Sequence, residues 1–173
     1  MLTGKKIVLG VSGGIAAYKM ANVASMLSKL HADIHVVMTE NATHFITPET
    51  FEVLTGNHCY TDTFDRCMEL HVPHIALGTQ ADAILIAPAS ADVVGKIANG
   101  IADDMLTTCV LPATCPVMLA PSMNVHMYEN PIVQDNMKKL ASYGYEIIEA
   151  DEGYLACRDI GKGKLPPEHV VVD

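Results

Sequence analysis

Tryptophan is absent from the 173-residue chain, phenylalanine occurs three times, and aromatic residues amount to 5% of it. A core with so few large rings must be filled by aliphatic side chains, and ten methionines supply flexible ones. Basic residues are scarce as well: 11 Lys and Arg stand against 20 Asp and Glu, for a net charge of -9. That balance argues against nucleic acid or an anionic membrane surface as partner, because the carboxylates would repel the phosphates. Any phosphate bound here must be held mainly by backbone amides. Long apolar runs are missing too; AILIAPA falls far short of the roughly 20 residues that cross a bilayer. With no secretory pattern at the N-terminus, a soluble cytoplasmic protein is expected. Cys59, Cys67, Cys109, Cys115 and Cys157 are an odd number without a CxxC pair, which argues against a disulfide framework or a zinc ribbon.

Half of the residues are apolar, enough for one domain spanning residues 1–173. KIVLGV (6–11), DIHVVMT (33–39), ADAILIAPA (81–89), CPVMLAP (115–121) and YEIIEA (145–150) read as strands, most of them apolar on both faces. Helical spacing appears between them. Met20, Val23, Leu27 and Leu30 share one stripe, and Val133, Met137, Leu140 and Ala141 another. ITPETFEVLTG reads as a helix with Pro48 in its first turn and Gly56 at its end, and SADVVGKIANG and DDMLTTCVLP as two more. Continuously apolar strands alternating with helices predict an α/β fold, a Rossmann-like or flavodoxin-like three-layer sandwich around a parallel sheet. Ligands of such folds gather beyond the carboxyl ends of the strands. The Gly- and Pro-rich tail from Gly153 reads as a flap or loop.

Five places carry candidate chemistry, three of them at those strand ends. In VSGGIAAYK, Gly13 and Gly14 allow close backbone approach before a helix N-terminus, which suits a phosphate, although the spacing is neither GxGxxG nor GxxxxGK[ST]. In APASADVVGK, Ser90 stands where its hydroxyl either caps a helix or meets a phosphate. PSMNVHMYENP leaves Asn124 either a turn residue or a ligand contact. His74, before the central strand, is either structural or a base facing a pocket. Cys157, in GYLACRDIGKG, is either a small loop residue or a proton donor or nucleophile. Cys109 and Cys115 fall in apolar runs and read as core. The histidine pairs in HADIH and HVPH lack a carboxylate at ligand spacing, so no metal is expected.

In order and spacing, SGGIAAYK, HIAL, PASAD, KIANGIADDML, PSMNVHM and GYLACRDIGKGK resemble the homo-oligomeric flavin-containing cysteine decarboxylases over nearly the whole chain. The resemblance implies FMN as cofactor, bound by Gly13, Gly14 and Ile15, by Thr39, Glu40 and Asn41, and by Ser90, Ala91, Asp92 and Val93. Ser90 would be the phosphate contact. It implies His74 as base, reaching a flavin held by a neighbouring subunit, and Asn124 with Met123 as the grip on the substrate carboxylate. Cys157 would be the proton donor on the flap, with Ala156 beside it as a further substrate-binding residue. The implied reaction is oxidation of the cysteine of 4'-phospho-N-pantothenoylcysteine to a thioaldehyde, loss of CO2 to an enethiol and reduction to 4'-phosphopantetheine, a step toward coenzyme A. A trimer or a dodecamer of trimers is implied, along with functional or covalent pairing with the synthetase that makes the substrate.

Two residues depart from the family pattern. Asp92 replaces an asparagine and would set a carboxylate near the FMN phosphate unless it faces away, and Lys164 replaces an arginine at the end of the flap motif. Alternatives are a peptidyl-cysteine decarboxylase of lantibiotic-type maturation and a catalytically silent flavoprotein regulatory subunit. An NAD(P)-dependent oxidoreductase conflicts with the glycine spacing.

Overall fold

A computed structural model describes residues 1–65, 72–154, 156 and 159–173. The elements follow as β1 (Lys6–Val11), α1 (Met20–Lys29), β2 (Asp33–Met38), α2 (Pro48–Thr55), β3 (Cys59–Tyr60), α3 (Pro73–Gln80), β4 (Ala83–Ala89) and α4 (Ala91–Ala98). After them come α5 (Met105–Val110), β5 (Val117–Pro121), α6 (Val125–Tyr128), α7 (Pro131–Ser142), β6 (Glu146–Ile147), β7 (Asp151–Tyr154), β8 (Ile160–Lys164) and α8 (Glu168–Val172). Short 3-10 turns cover Ile15–Lys19 and Glu40–His44.

Six strands form one parallel sheet in the order β3-β2-β1-β4-β5-β6. The chain winds outward from β1 in one direction and from β4 in the other, so the loops leaving β1 and β4 diverge and a crevice opens between them. Alternation along the strands divides the core into two layers. Ile7, Leu9 and Val11 of β1, with Leu85 and Ala87 of β4, face α1, α2 and α8. Val8 of β1 and Ile84, Ile86 and Ala89 of β4 face α3, α4, α5 and α7. The jump from Ile86 to Ala89 on one face coincides with a register shift in the β4–β5 ladder.

The expected strands and helices are present, with differences at the margins. β3 and β6 have two residues each, too short to carry a periodic signal. The segment beginning at Pro73 is a helix, α3, rather than a plain lead-in to β4. The stripe on α7 is narrower than its spacing suggests: Met137 and Leu140 are buried, Val133 is partly buried, and Ala141 is exposed. Among the described residues no helix is long and apolar enough to cross a membrane. Phe51 of α2 is fully buried in the first layer. Phe51→Ala is expected to cost about 3–5 kcal/mol by urea unfolding, and a loss below 1 kcal/mol would show that this layer repacks freely.

Candidate active site

The strand ends that flank the crevice are tied together by one side chain. Ser12, fully buried at the end of β1, donates its hydroxyl to the carbonyl of Pro88 at 2.6 Å and accepts the backbone N–H of Ser90 at 2.9 Å. The Ser12 N–H reaches the same carbonyl at 3.3 Å. Buried polar groups of this kind must be matched, and here the matching fixes the glycine turn against the start of α4. Ser90 is the N-cap of α4, its hydroxyl accepting from Val93 N at 3.4 Å. The capping reading of Ser90 therefore holds, and the residue also lines the cleft.

That cleft has a volume of about 270 Å³. Gly13, Gly14 and Ile15 line it from the first turn, Ser90 and Ala91 from the second, Met123 and Asn124 from the loop after β5, and Ala156 and Gly163 from the C-terminal hairpin. Five of the ten residues expected around a cofactor do not line the cleft. Val93 is buried in the core and contributes its N–H to the cap. Asp92 turns away, its carboxylate 3.2 Å from Lys96 one helical turn on, so the departure at this position does not add its carboxylate to the cleft wall. Thr39 is buried and caps the turn that follows β2, while Glu40 and Asn41 are exposed; none of the three lines the cleft. Ile15 does line it but is 56% exposed. A side chain at Gly14 would come no closer than 4.0 Å to the rest of the protein, at Pro88, so it would take space from the cleft instead of clashing with the fold.

The tail beyond Gly153 is a hairpin of β7 and β8, paired antiparallel and docked on the Met-Asn loop. Met123 N–H donates to Gly163 O at 2.9 Å. At Gly163, with φ of +135, a Cβ would lie 2.5 Å from the Met123 carbonyl, so both the backbone angle and the close approach require glycine. Asn124 has two tasks. Its Oδ1 accepts the His126 N–H at 2.8 Å and caps α6, and that bond fixes the amide so that Nδ2 donates to the Asp159 carboxylate at 3.0 Å.

His74 lies in the first turn of α3, outside the cleft wall of its own chain. Its Nδ1 is buried without a hydrogen-bond partner among the described residues. Cys157 and Cys67 lie outside the described residues. Cys109 is fully buried as expected, whereas Cys115 is only partly so. Burial, and behind it the carboxylate of Asp104, pushes the Cys109 thiol up to about 12. Burial also drives Cys59 up to about 12, with Glu52 and Glu49 adding to the shift.

Similarity to known proteins fits this geometry. The family model described as Flavoprotein matches residues 1–173. The chain belongs to the Flavoprotein family. It is 50% identical over 172 residues to the coenzyme A biosynthesis bifunctional protein CoaBC of Bacillus subtilis, covering 99% of this chain and 42% of that one. The chain thus spans about two-fifths of such relatives. It is also 44% identical to the probable phosphopantothenoylcysteine decarboxylase of Streptococcus mutans, covering 93% of this chain and 91% of the relative. Among solved structures, a PPC decarboxylase mutant complexed with pantothenoylaminoethenethiol aligns with a TM-score of 0.87 and 29% identity over 97% of this chain and 94% of that one. The FMN-dependent cysteine decarboxylase SpaF aligns at 0.85 and 34% over 99% and 98%. The resemblance of the motifs to the flavin-containing cysteine decarboxylases is borne out, and a flavin is the cofactor that this Flavoprotein fold implies.

Ser12 was not singled out from the sequence, although it stands within the quoted VSGG turn. Only the placement of β4 beside β1 reveals its partners. Ser12→Ala removes one donor and leaves the Ser90 N–H unmatched, at an expected cost of about 1–3 kcal/mol in unfolding free energy; an unchanged midpoint would contradict the bridge. Mass-mapped alkylation of the native protein at pH 8 is expected to leave Cys59 and Cys109 unmodified, and modification of either would show that its burial is not maintained.

Proposed function

We propose that this chain binds FMN and catalyses the oxidative decarboxylation of 4'-phospho-N-pantothenoylcysteine to 4'-phosphopantetheine. The observation that carries the reading is the cleft itself, where the two strand-to-helix turns, the Asn124 amide and the C-terminal hairpin meet at the carboxyl edge of the sheet. FMN, when bound, supplies the electron acceptor without which loss of CO2 from a cysteine would leave an unstabilised carbanion. The N–H groups at the start of α4, together with Gly13 and Gly14, suit its phosphate, since a chain of net charge -9 must rely on backbone donors. Ser90 and Ala91 stand at that helix start.

The chain's own groups divide the remaining work. Asn124 presents the donor end of a neutral amide to a carboxylate, already that of Asp159. A neutral donor holds a departing carboxylate without the ground-state stabilisation that a fixed cation would add. His74 takes the substrate proton. A buried ring nitrogen without a partner among the described residues calls for one, and exposed Val72 and Ile75 beside it form apolar surface suited to packing against a second copy. The proposed assembly is a homo-oligomer, a trimer or a dodecamer of trimers, in which His74 serves the cleft of a neighbour. Cys157, assigned by resemblance, returns a proton from the flap. The substrate comes from an enzyme that joins cysteine to phosphopantothenate, on the same chain or another, in the cytoplasm.

Purified protein is expected to release CO2 from phosphopantothenoylcysteine, and turnover confined to a peptide ending in cysteine would transfer the assignment to peptide maturation. His74→Asn is expected to lower kcat by on the order of 10²–10⁴ with flavin absorbance retained; a colourless variant would point to a structural His74. Cys157→Ser is expected to decarboxylate but to accumulate unreduced product, and a normal yield of the saturated thiol would remove its proton-donor role.

A further inference from the structure

A second lobe of about 210 Å³ adjoins the cleft and shares Ile15, Ser122 and Ala156 with it. Lys19, from the turn after Gly14, and Lys164, at the end of β8, both line this lobe, and among the described residues no Asp or Glu does. Their situation differs from that of the other lysines. Lys5 pairs with Asp82, Lys96 with Asp92 and Asp103, Lys138 with Asp135, and Lys162 with Glu149. Lys6 and Lys139 bond to Gln80 and Asn99, and Lys29 is exposed. Lys19 and Lys164 are half-buried, with neither a carboxylate nor a hydrogen-bond partner among the described residues. Partial burial of an ammonium is unfavourable unless a counter-charge accompanies it. In an acidic chain with many carboxylates to spare, two such lysines line one lobe to which the described residues contribute no carboxylate.

The geometry points to this lobe as the seat of a phosphate monoester, and we propose that it is the phosphate of the substrate. The inference rests on the reading of the cleft as the decarboxylation site. A molecule with its carboxylate at Asn124 and its body across the shared wall of Ile15, Ser122 and Ala156 would bring a distal dianion to the lobe that the two lysines line. Lysine acts on phosphate as a point charge, which suits a freely rotating terminal group. The phosphate of FMN has the same chemistry and is the competing occupant.

The test compares kcat/KM for phosphopantothenoylcysteine and for its dephosphorylated form in the wild type, Lys19→Met, Lys164→Met and the double variant, with flavin content read from absorbance. The wild type is expected to prefer the phosphorylated form, each single substitution to reduce that preference about tenfold or more, and the double variant to approach parity with flavin content retained. A preserved preference overturns the proposal. Loss of flavin at unchanged preference also overturns it and gives the lobe to the cofactor. Calorimetric titration of the flavin-loaded protein with 4'-phosphopantothenate and with pantothenate reads the lobe apart from turnover. Phosphate-dependent binding that disappears in the double variant supports the lobe even if decarboxylation fails, in which case only the proposed reaction falls; equal binding of both compounds by the wild type overturns the lobe even if decarboxylation succeeds.

Discussion

The buried hydroxyl of Ser12 joins two loops that the sheet topology would otherwise let diverge. β1 and β4 are neighbours, but the chain leaves them toward opposite faces of the sheet, and at this end a 3.3 Å backbone bond from Ser12 N–H to the Pro88 carbonyl links the two. By giving its proton to the Pro88 carbonyl and taking that of the Ser90 amide, Ser12 uses both halves of its hydrogen-bonding capacity across that gap. In a low-dielectric setting such a bridge is stronger than in water and far more costly to leave half made. The consequence reaches the site directly. Gly13, Gly14, Ser90 and Ala91 form one wall only because their backbones are held at a fixed separation.

The opposite wall is assembled from the far end of the chain. The hairpin of β7 and β8 belongs to no larger sheet, and it docks on the loop after β5 through the Met123–Gly163 backbone bond, the Asn124–Asp159 contact and the close approach of Gly163 to Met123. A two-stranded hairpin has marginal stability by itself, so its placement depends on these contacts. Asn124 therefore couples local structure to chemistry: the same amide caps α6, engages the hairpin and lines the cleft.

Much of this was legible in the sequence, for identifiable reasons. Strands such as AILIAPA, apolar on both faces, announce a sheet covered on both sides, and Pro48 and Gly56 bracket α2 as capping chemistry requires. Gly13, Gly14, Ser90, Met123 and Asn124 could be placed at the ligand edge because each follows a readable strand. Other features depend on tertiary partners. Two-residue strands have no period, and the glycines of GYLACRDIGKGK hide a hairpin whose pairing is set by contact with the Met-Asn loop. Whether Asp92 faces the cleft was decided by Lys96, itself drawn also toward Asp103. The significance of Lys19 and Lys164 lies in the partners they lack among the described residues, which no spacing reveals.

Under the proposed function the crevice between β1 and β4 is a cradle for a phosphate-bearing flavin, built from backbone amides that Ser12 ties together. Titrating flavin-free protein with FMN and with riboflavin tests that claim most directly, because the two differ by the phosphate alone. FMN is expected to bind at least about 100-fold more tightly, the contribution of one or two charge-assisted hydrogen bonds. Equal affinities would contradict a phosphate cradle at these turns.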